Sequence, residues 1–182
     1  MIDEEDLEFS RYPFDNPDDY AINLNTRFPD GMDMSELFIK LTQDLQASFA
    51  ISKGLLVIRE NDTTQFIATA SFSERKTRKN LSLRIPSVSS LFEKVAEGGT
   101  LYSENCSEFF SGNSFERNLL MDNNSRSFIL QPLKYEGQVV GILGYSSDEV
   151  SAFTVFETGL LDTVAGLLAS RISSKHPKST QH

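Results

Sequence analysis

Apolar residues recur along this chain at two periods, and the switches between them divide it into elements. Leu37, Phe38, Leu41, Leu45 and Phe49 return every three or four residues, which predicts one stripe of a helix. Asp33 is placed to cap it, with Glu36 three residues later in a capping-box arrangement. Beyond Gly54 the period changes. Leu55-Leu56-Val57-Ile58 predicts a short strand, Asn61-Asp62-Thr63 a turn, and the alternation of Phe66, Ala68, Ala70 and Phe72 a half-buried hairpin partner. After a basic loop, Leu81, Leu83 and Ile85 alternate as a third strand, closed by Pro86.

Helical spacing returns at Val88, Leu91, Phe92, Val95 and Ala96, and Gly98-Gly99 predicts the end of that helix. Leu101-Tyr102 reads as a short strand. Residues 103–127 are polar and irregular, with Phe109, Phe110, Phe115, Leu119, Leu120 and Met121 suited to one or two short helices. Phe128–Tyr135 and Gln138–Tyr145 flank Glu136-Gly137, a two-residue turn that fixes the register of a hairpin. A final helix is predicted from an N-cap at Thr154 with Glu157, its apolar face formed by Phe153, Phe156, Leu160, Leu161, Val164, Leu167, Leu168 and Ile172. This order, rich in hairpins and without repeated strand–helix–strand units, predicts an α+β domain around an antiparallel sheet.

Residues 127–145, Ser-Phe-Ile-Leu-Gln-Pro-Leu-Lys-Tyr-Glu-Gly-Gln-Val-Val-Gly-Ile-Leu-Gly-Tyr, closely resemble the last hairpin of GAF domains. Ala152-Phe153-Thr154, with Leu160-Leu161 and Val164-Ala165 behind it, is similar to the family's closing helix. Ile85-Pro86 through Val95-Ala96-Glu97-Gly98-Gly99-Thr100-Leu101 is similar to its mid-domain helix and following strand. The resemblance covers residues 33 to 173. It implies a central antiparallel sheet of about five to six strands, with the first and last helices on one face. On the other face it implies a ligand pocket roofed by the mid-domain helix and the irregular segment. It also implies homodimer pairing through the helices at 35–50 and 154–172.

Outside that stretch, residues 1–32 predict a loosely structured acidic arm interrupted by Pro13, Pro17 and Pro29, and residues 174–182 a polar tail. The net charge of −9 opposes binding to nucleic acid and to anionic membranes. No apolar run reaches the roughly 18 residues that span a bilayer, and the acidic N-terminus lacks the pattern of a secretory leader. A cytoplasmic protein with a reduced thiol is expected.

The chemistry available is narrow. Cys106 is the one cysteine, and the two histidines, His176 and His182, fall in the tail. No catalytic triad, phosphate loop or metal cluster can be assembled from the domain, so no catalytic residue, metal or cofactor is expected. The cyclic-nucleotide signature of the family, Asn-Lys-Phe-Asp-Glu, is absent. The bilin- and haem-binding branches need histidines that the domain lacks. The branch that reduces free methionine sulfoxide uses more than one thiol, because the first attack leaves an intermediate that a second must resolve. The resemblance then implies a pocket lined by Ile85, Leu91, Phe92, Cys106, Phe109, Phe110, Phe128 and Leu130, with Arg126, Ser127 or Gln131 as polar contacts. The pleat places Phe128 and Leu130 on one face of their strand and Ser127, Ile129 and Gln131 on the other. Which face looks into the pocket stays open at this stage. Two functions fit: a non-catalytic sensor that binds a small molecule in an apolar pocket, or a ligandless module that binds a partner protein. Arg75, Lys76, Arg78 and Lys79 form a basic loop, either an anion or acidic-partner contact or a solvated turn.

Overall fold

The computed structural model describes residues 27–46, 48–60, 63, 65–106, 108–153 and 158–175. Its first helix, α1 (Met34–Leu45), begins where the sequence predicts: the Asp33 carboxylate accepts from the N–H groups of Ser35 and Glu36. Those are two of the donors that a helix start leaves unpaired. Strands β1 (Lys53–Arg59) and β2 (Phe66–Ser73) follow as an antiparallel pair.

Burial along β2 alternates as predicted, yet the buried stripe does not stay on one face. Leu56 pairs with Ala70 and Val57 with Ala68, so Thr69 is an extra residue without a counterpart. Such a bulge reverses the facing of everything beyond it. Phe66 and Ala68 therefore pack on one side of the sheet, and Ala70 and Phe72 on the other.

The predicted third strand is broken. Asn80 takes a left-handed φ of 54°, and its N–H donates to Ser35 Oγ at 2.9 Å. Of the predicted strand only β4 (Leu83–Arg84) remains, while β3 (Thr77–Arg78) forms ahead of it in the stretch read as a basic loop, and both pair with β2. Helix α2 (Leu91–Gly98) is capped by Ser90 and ended by Gly99 at φ 64°. Val88, predicted within this helix, precedes it and is exposed.

Strand β5 (Tyr102–Glu104) leads into a loop and a single short helix, α3 (Ser114–Leu120). Strands β6 (Ser127–Tyr135) and β7 (Gln138–Ser147) form the predicted hairpin. Glu136 and Gly137 both have positive φ, 50° and 80°, the type I′ geometry that matches strand twist. Helix α4 (Thr158–Lys175) closes the domain and runs past the predicted end at Ile172. Its predicted cap, Thr154 with Glu157, and Phe156 lie outside the described residues.

The strands form one seven-stranded antiparallel sheet, ordered β3-β2-β1-β7-β6-β5, with β4 beside β2. The fold class is the predicted α+β; the count exceeds five or six because β3 forms within the stretch read as a basic loop. Helices α1 and α4 cover one face, packing Leu37, Phe38, Leu41, Leu161, Val164 and Leu168 against Leu56, Ile129, Leu143 and Tyr145. Burying each such side chain contributes about 1.5–3 kcal/mol, so this layer holds the sheet flat against its helices. Phe28, in the stretch expected to be an arm, belongs to this core, and the buried Arg171 of α4 donates to the carbonyls of Phe28 and Pro29.

Candidate functional site

The pleat of β6 settles which face is which. Phe128 and Leu130 point to the side roofed by α2 and α3, where they join Ile85, Leu91, Phe92, Val95, Leu120, Met121 and Ile142. Five residues expected in the pocket are thus brought together: Ile85, Leu91, Phe92, Phe128 and Leu130. Phe110 packs against them at the rim, its ring 5.4 Å from that of Phe128. Tyr102 flanks Phe128 from the other strand at 5.9 Å and is half-buried, a neighbour that the sequence reading did not include.

Five other expected residues are placed differently. Ile129 and Leu133 face the α1 and α4 core, and the alternation carries Ser127 and Gln131 with them, so Gln131 is separated from Phe128 by the thickness of the sheet. Cys106 and Arg126 are exposed. Phe109 is 87% exposed, because the loop turns it outward while Phe110 turns in. Glu104 pairs with Phe128, so the chain leaves β5 toward Cys106 at the same end where Arg126 enters β6.

The roof is held by a group the sequence reading missed. Glu116 of α3 is fully buried, and its carboxylate accepts four hydrogen bonds from its own chain. Oε2 takes Ser90 Oγ at 2.6 Å and the Phe92 N–H at 3.1 Å; Oε1 takes the N–H groups of Leu91 at 2.9 Å and Asn113 at 3.1 Å. Two of these donors are the first N–H groups of α2, where a negative charge is favoured. The fourth closes a capping box at the start of α3. Asn113 adds a second tie, donating from Nδ2 to the carbonyls of Pro86 and Val88. A Cβ at Gly112 would lie 2.5 Å from both Glu116 Oε1 and the Phe110 ring, so only glycine allows this closure. Asn113-x-x-Glu116 was legible as a helix start; its reach to α2 was not.

The far end of α3 is tied to the sheet. Ser146 Oγ donates to the Leu120 carbonyl at 2.6 Å and Lys53 Nζ to that of Met121 at 3.2 Å. A cation and a hydroxyl thus meet carbonyls that the helix leaves free. Partial burial pushes the Lys53 ammonium below its ordinary pKa and Arg78 adds to the effect, while Asp122 opposes it.

The site offers no nucleophile paired with a base among the described residues. Among the described residues, no three His, Cys, Asp or Glu side chains gather to hold a metal ion, and no helix is long and apolar enough to cross a membrane. The thiol of Cys106 has no second cysteine in the chain to partner it.

A family model described as the GAF domain matches residues 33–174. Among solved structures, the GAF domain of a two-component sensor histidine kinase from Bacillus halodurans aligns with a TM-score of 0.66 at 13% identity, covering 80% of this chain and 97% of that one. The GAF domain of an Acinetobacter phosphoenolpyruvate-protein phosphotransferase aligns at 0.64 and 14%, covering 88% and 94%. The free methionine-R-sulfoxide reductase of Neisseria meningitidis, in complex with its substrate, aligns at 0.64 and 15%, covering 88% and 90%. No curated protein matches by sequence.

Proposed function

The chain belongs to the GAF domain family, and from that premise we propose that it is a regulatory module without catalysis of its own, binding a small planar or apolar molecule on its roofed face. One observation carries the reading. Ile85, Leu91, Phe92, Phe128 and Leu130 form a continuous apolar floor and roof, and the half-buried rings of Tyr102 and Phe110 stand at its rim. Rings that are part open over an apolar interior suit a flat ligand, which stacks on aromatic faces without demanding polar partners. Cys106, Phe109 and Arg126 supply the outer contacts where the chain leaves β5 and enters β6. The absence of catalysis rests on the thiol count: one cysteine can attack a sulfoxide but cannot resolve the product within the chain.

A second reading, a ligandless interaction module, is favoured by the state of the roof. Every oxygen of Glu116 is already paired within the chain, and Phe92, Phe128 and Leu130 leave almost no surface open. In either case the apolar residues of α1 and α4 serve the domain's own core. Homodimer pairing through these helices would use polar or small outward positions such as Lys40, Gln43, Asp162, Gly166 and Ser170.

Native mass spectrometry of freshly purified protein, set against its denatured mass, tests these readings together. A mass released on denaturation supports the sensor reading and identifies the ligand. An apo species favours the interaction module, and its mass reports monomer or dimer. Sustained turnover of free methionine-R-sulfoxide with dithiol reductant would overturn the non-catalytic assignment.

A further inference from the structure

Residues 74–79 carry Arg75, Lys76, Arg78 and Lys79 against the single acid Glu74, in a chain whose net charge is −9. All six are exposed, and none of the four cations has an ion-pair partner among the described residues. Arg59, Lys94, Arg117, Arg126 and Lys134 are likewise without an ion pair among the described residues, so what sets these four apart is their clustering on one short hairpin.

The segment is held in shape at both ends. Ser73 and Lys76 exchange backbone hydrogen bonds at 2.8 and 3.3 Å, and Ser73 Oγ adds bonds at 2.9 and 3.0 Å to the Lys76 carbonyl and N–H. Thr77 and Arg78 pair with Phe72 and Ser71 as strand β3. Beyond them the Asn80 N–H is fixed to Ser35 Oγ and the Leu81 N–H to the Thr69 carbonyl. The cations are therefore displayed on a rigid turn rather than a loose loop, and a partner would not have to order the backbone on binding.

Arg78 also works against its surroundings. It pairs in register with Ser71, opposite Leu55, on the side of the sheet where Lys53 reaches for α3, and the two cations repel.

We propose that the hairpin at Arg75, Lys76, Arg78 and Lys79 is a docking site for a short acidic peptide segment of a partner protein. A short Asp/Glu-rich segment matches the patch in extent. A long polyanion such as nucleic acid would extend over a surface of net negative charge and be repelled by it.

The test measures fluorescence anisotropy of a labelled peptide of about eight alternating Asp and Glu residues against the full chain, at about 0.05 M and about 0.3 M salt. Two triple variants are compared, R75Q/R78Q/K79Q in the hairpin and K94Q/R117Q/K134Q at exposed positions elsewhere, with the same change in net charge. The expected result is binding that weakens with salt, falls about tenfold or more in the hairpin variant, and stays within about twofold in the other. The proposal is overturned if the parent chain does not bind the peptide at low salt, or if both variants lose binding alike. It is equally overturned if a single-stranded oligonucleotide of equal charge binds more tightly than the peptide.

Discussion

Glu116 Oε2 lies 2.6 Å from Ser90 Oγ, joining α3 to the N-terminal end of α2 across 26 residues of sequence. The same carboxylate accepts from three backbone N–H groups, so the roof over the apolar face is closed by one side chain. Replacing Glu116 with Gln keeps the shape but turns one acceptor into a donor that faces N–H groups. The E116Q protein is expected to lose about 2–4 kcal/mol, because buried donors go unpaired. Urea denaturation measures this, and a loss below about 1 kcal/mol would show that the roof does not depend on the carboxylate.

Gly54 faces Tyr145 directly across β1 and β7, and a Cβ there would meet the Tyr145 ring at 2.8 Å and Phe38 at 3.2 Å. The ring cannot easily yield. It is fully buried, stacks on Phe38 with centroids 6.3 Å apart, and its hydroxyl is 2.8 Å from Thr42 Oγ1. Gly54→Ala is expected to cost about 1–3 kcal/mol by overpacking. Pairing it with Tyr145→Leu should recover part of that cost; purely additive losses would mean that the ring is not what the methyl strikes.

Tyr145 also sets a limit at high pH. Burial pushes its hydroxyl well above the ordinary tyrosine value, the Thr42 contact opposing this weakly. The unfolded chain therefore gives up this proton first. The stability that Tyr145 contributes is present below about pH 10 and declines above it, at up to about 1.4 kcal/mol per pH unit. Lys53 acts in the opposite sense, since its folded pKa is lowered and the folded state loses its proton first. Comparing Y145F with the parent chain cancels the Lys53 contribution. Y145F should fall less steeply between pH 10 and 11, and parallel curves would refute the assignment.

The parts of this fold that could be read from sequence are those in which local period and turn chemistry agree. Residues 127–145 show both, with alternation on two strands and Glu-Gly supplying two positive φ values, and Tyr135 pairs with Gln138 across the predicted turn, although the register shifts by one between Leu133 and Lys134. The third strand looked equally regular at Leu81, Leu83 and Ile85, yet just ahead of it Asn80 bends the chain and donates its N–H to Ser35 of α1, a contact 45 residues away. The stripe on β2 misled for a related reason: period two cannot reveal a bulge, so one alternation feeds two cores. At the site, the apolar members were legible because strand and helix periods bring them inward. Glu116 was not, since a charged residue is read as surface until the loop ahead of it is seen to fold back. Gln131 could be assigned to a face only once the pleat had been oriented by its neighbours.

Arg171 separates a buried ionic group from an exposed one. Its guanidinium is 5% exposed and donates to the carbonyls of Phe28 and Pro29, while its ion pair with Asp30, at 3.4 Å, reaches a carboxylate that is 99% exposed. Water screens the second contact almost completely, so the first should dominate. Arg171→Met preserves length and apolar packing but leaves two carbonyls without donors beside Phe28, at an expected cost of about 2–4 kcal/mol. Asp30→Asn removes only the screened charge and should leave the unfolding midpoint unchanged. The two carbonyls belong to the segment entering α1, so hydrogen exchange in the R171M protein should rise first at the start of that helix. Uniform exchange across the domain would instead mean that Arg171 supports the α4 core as a whole and not the entry of the chain.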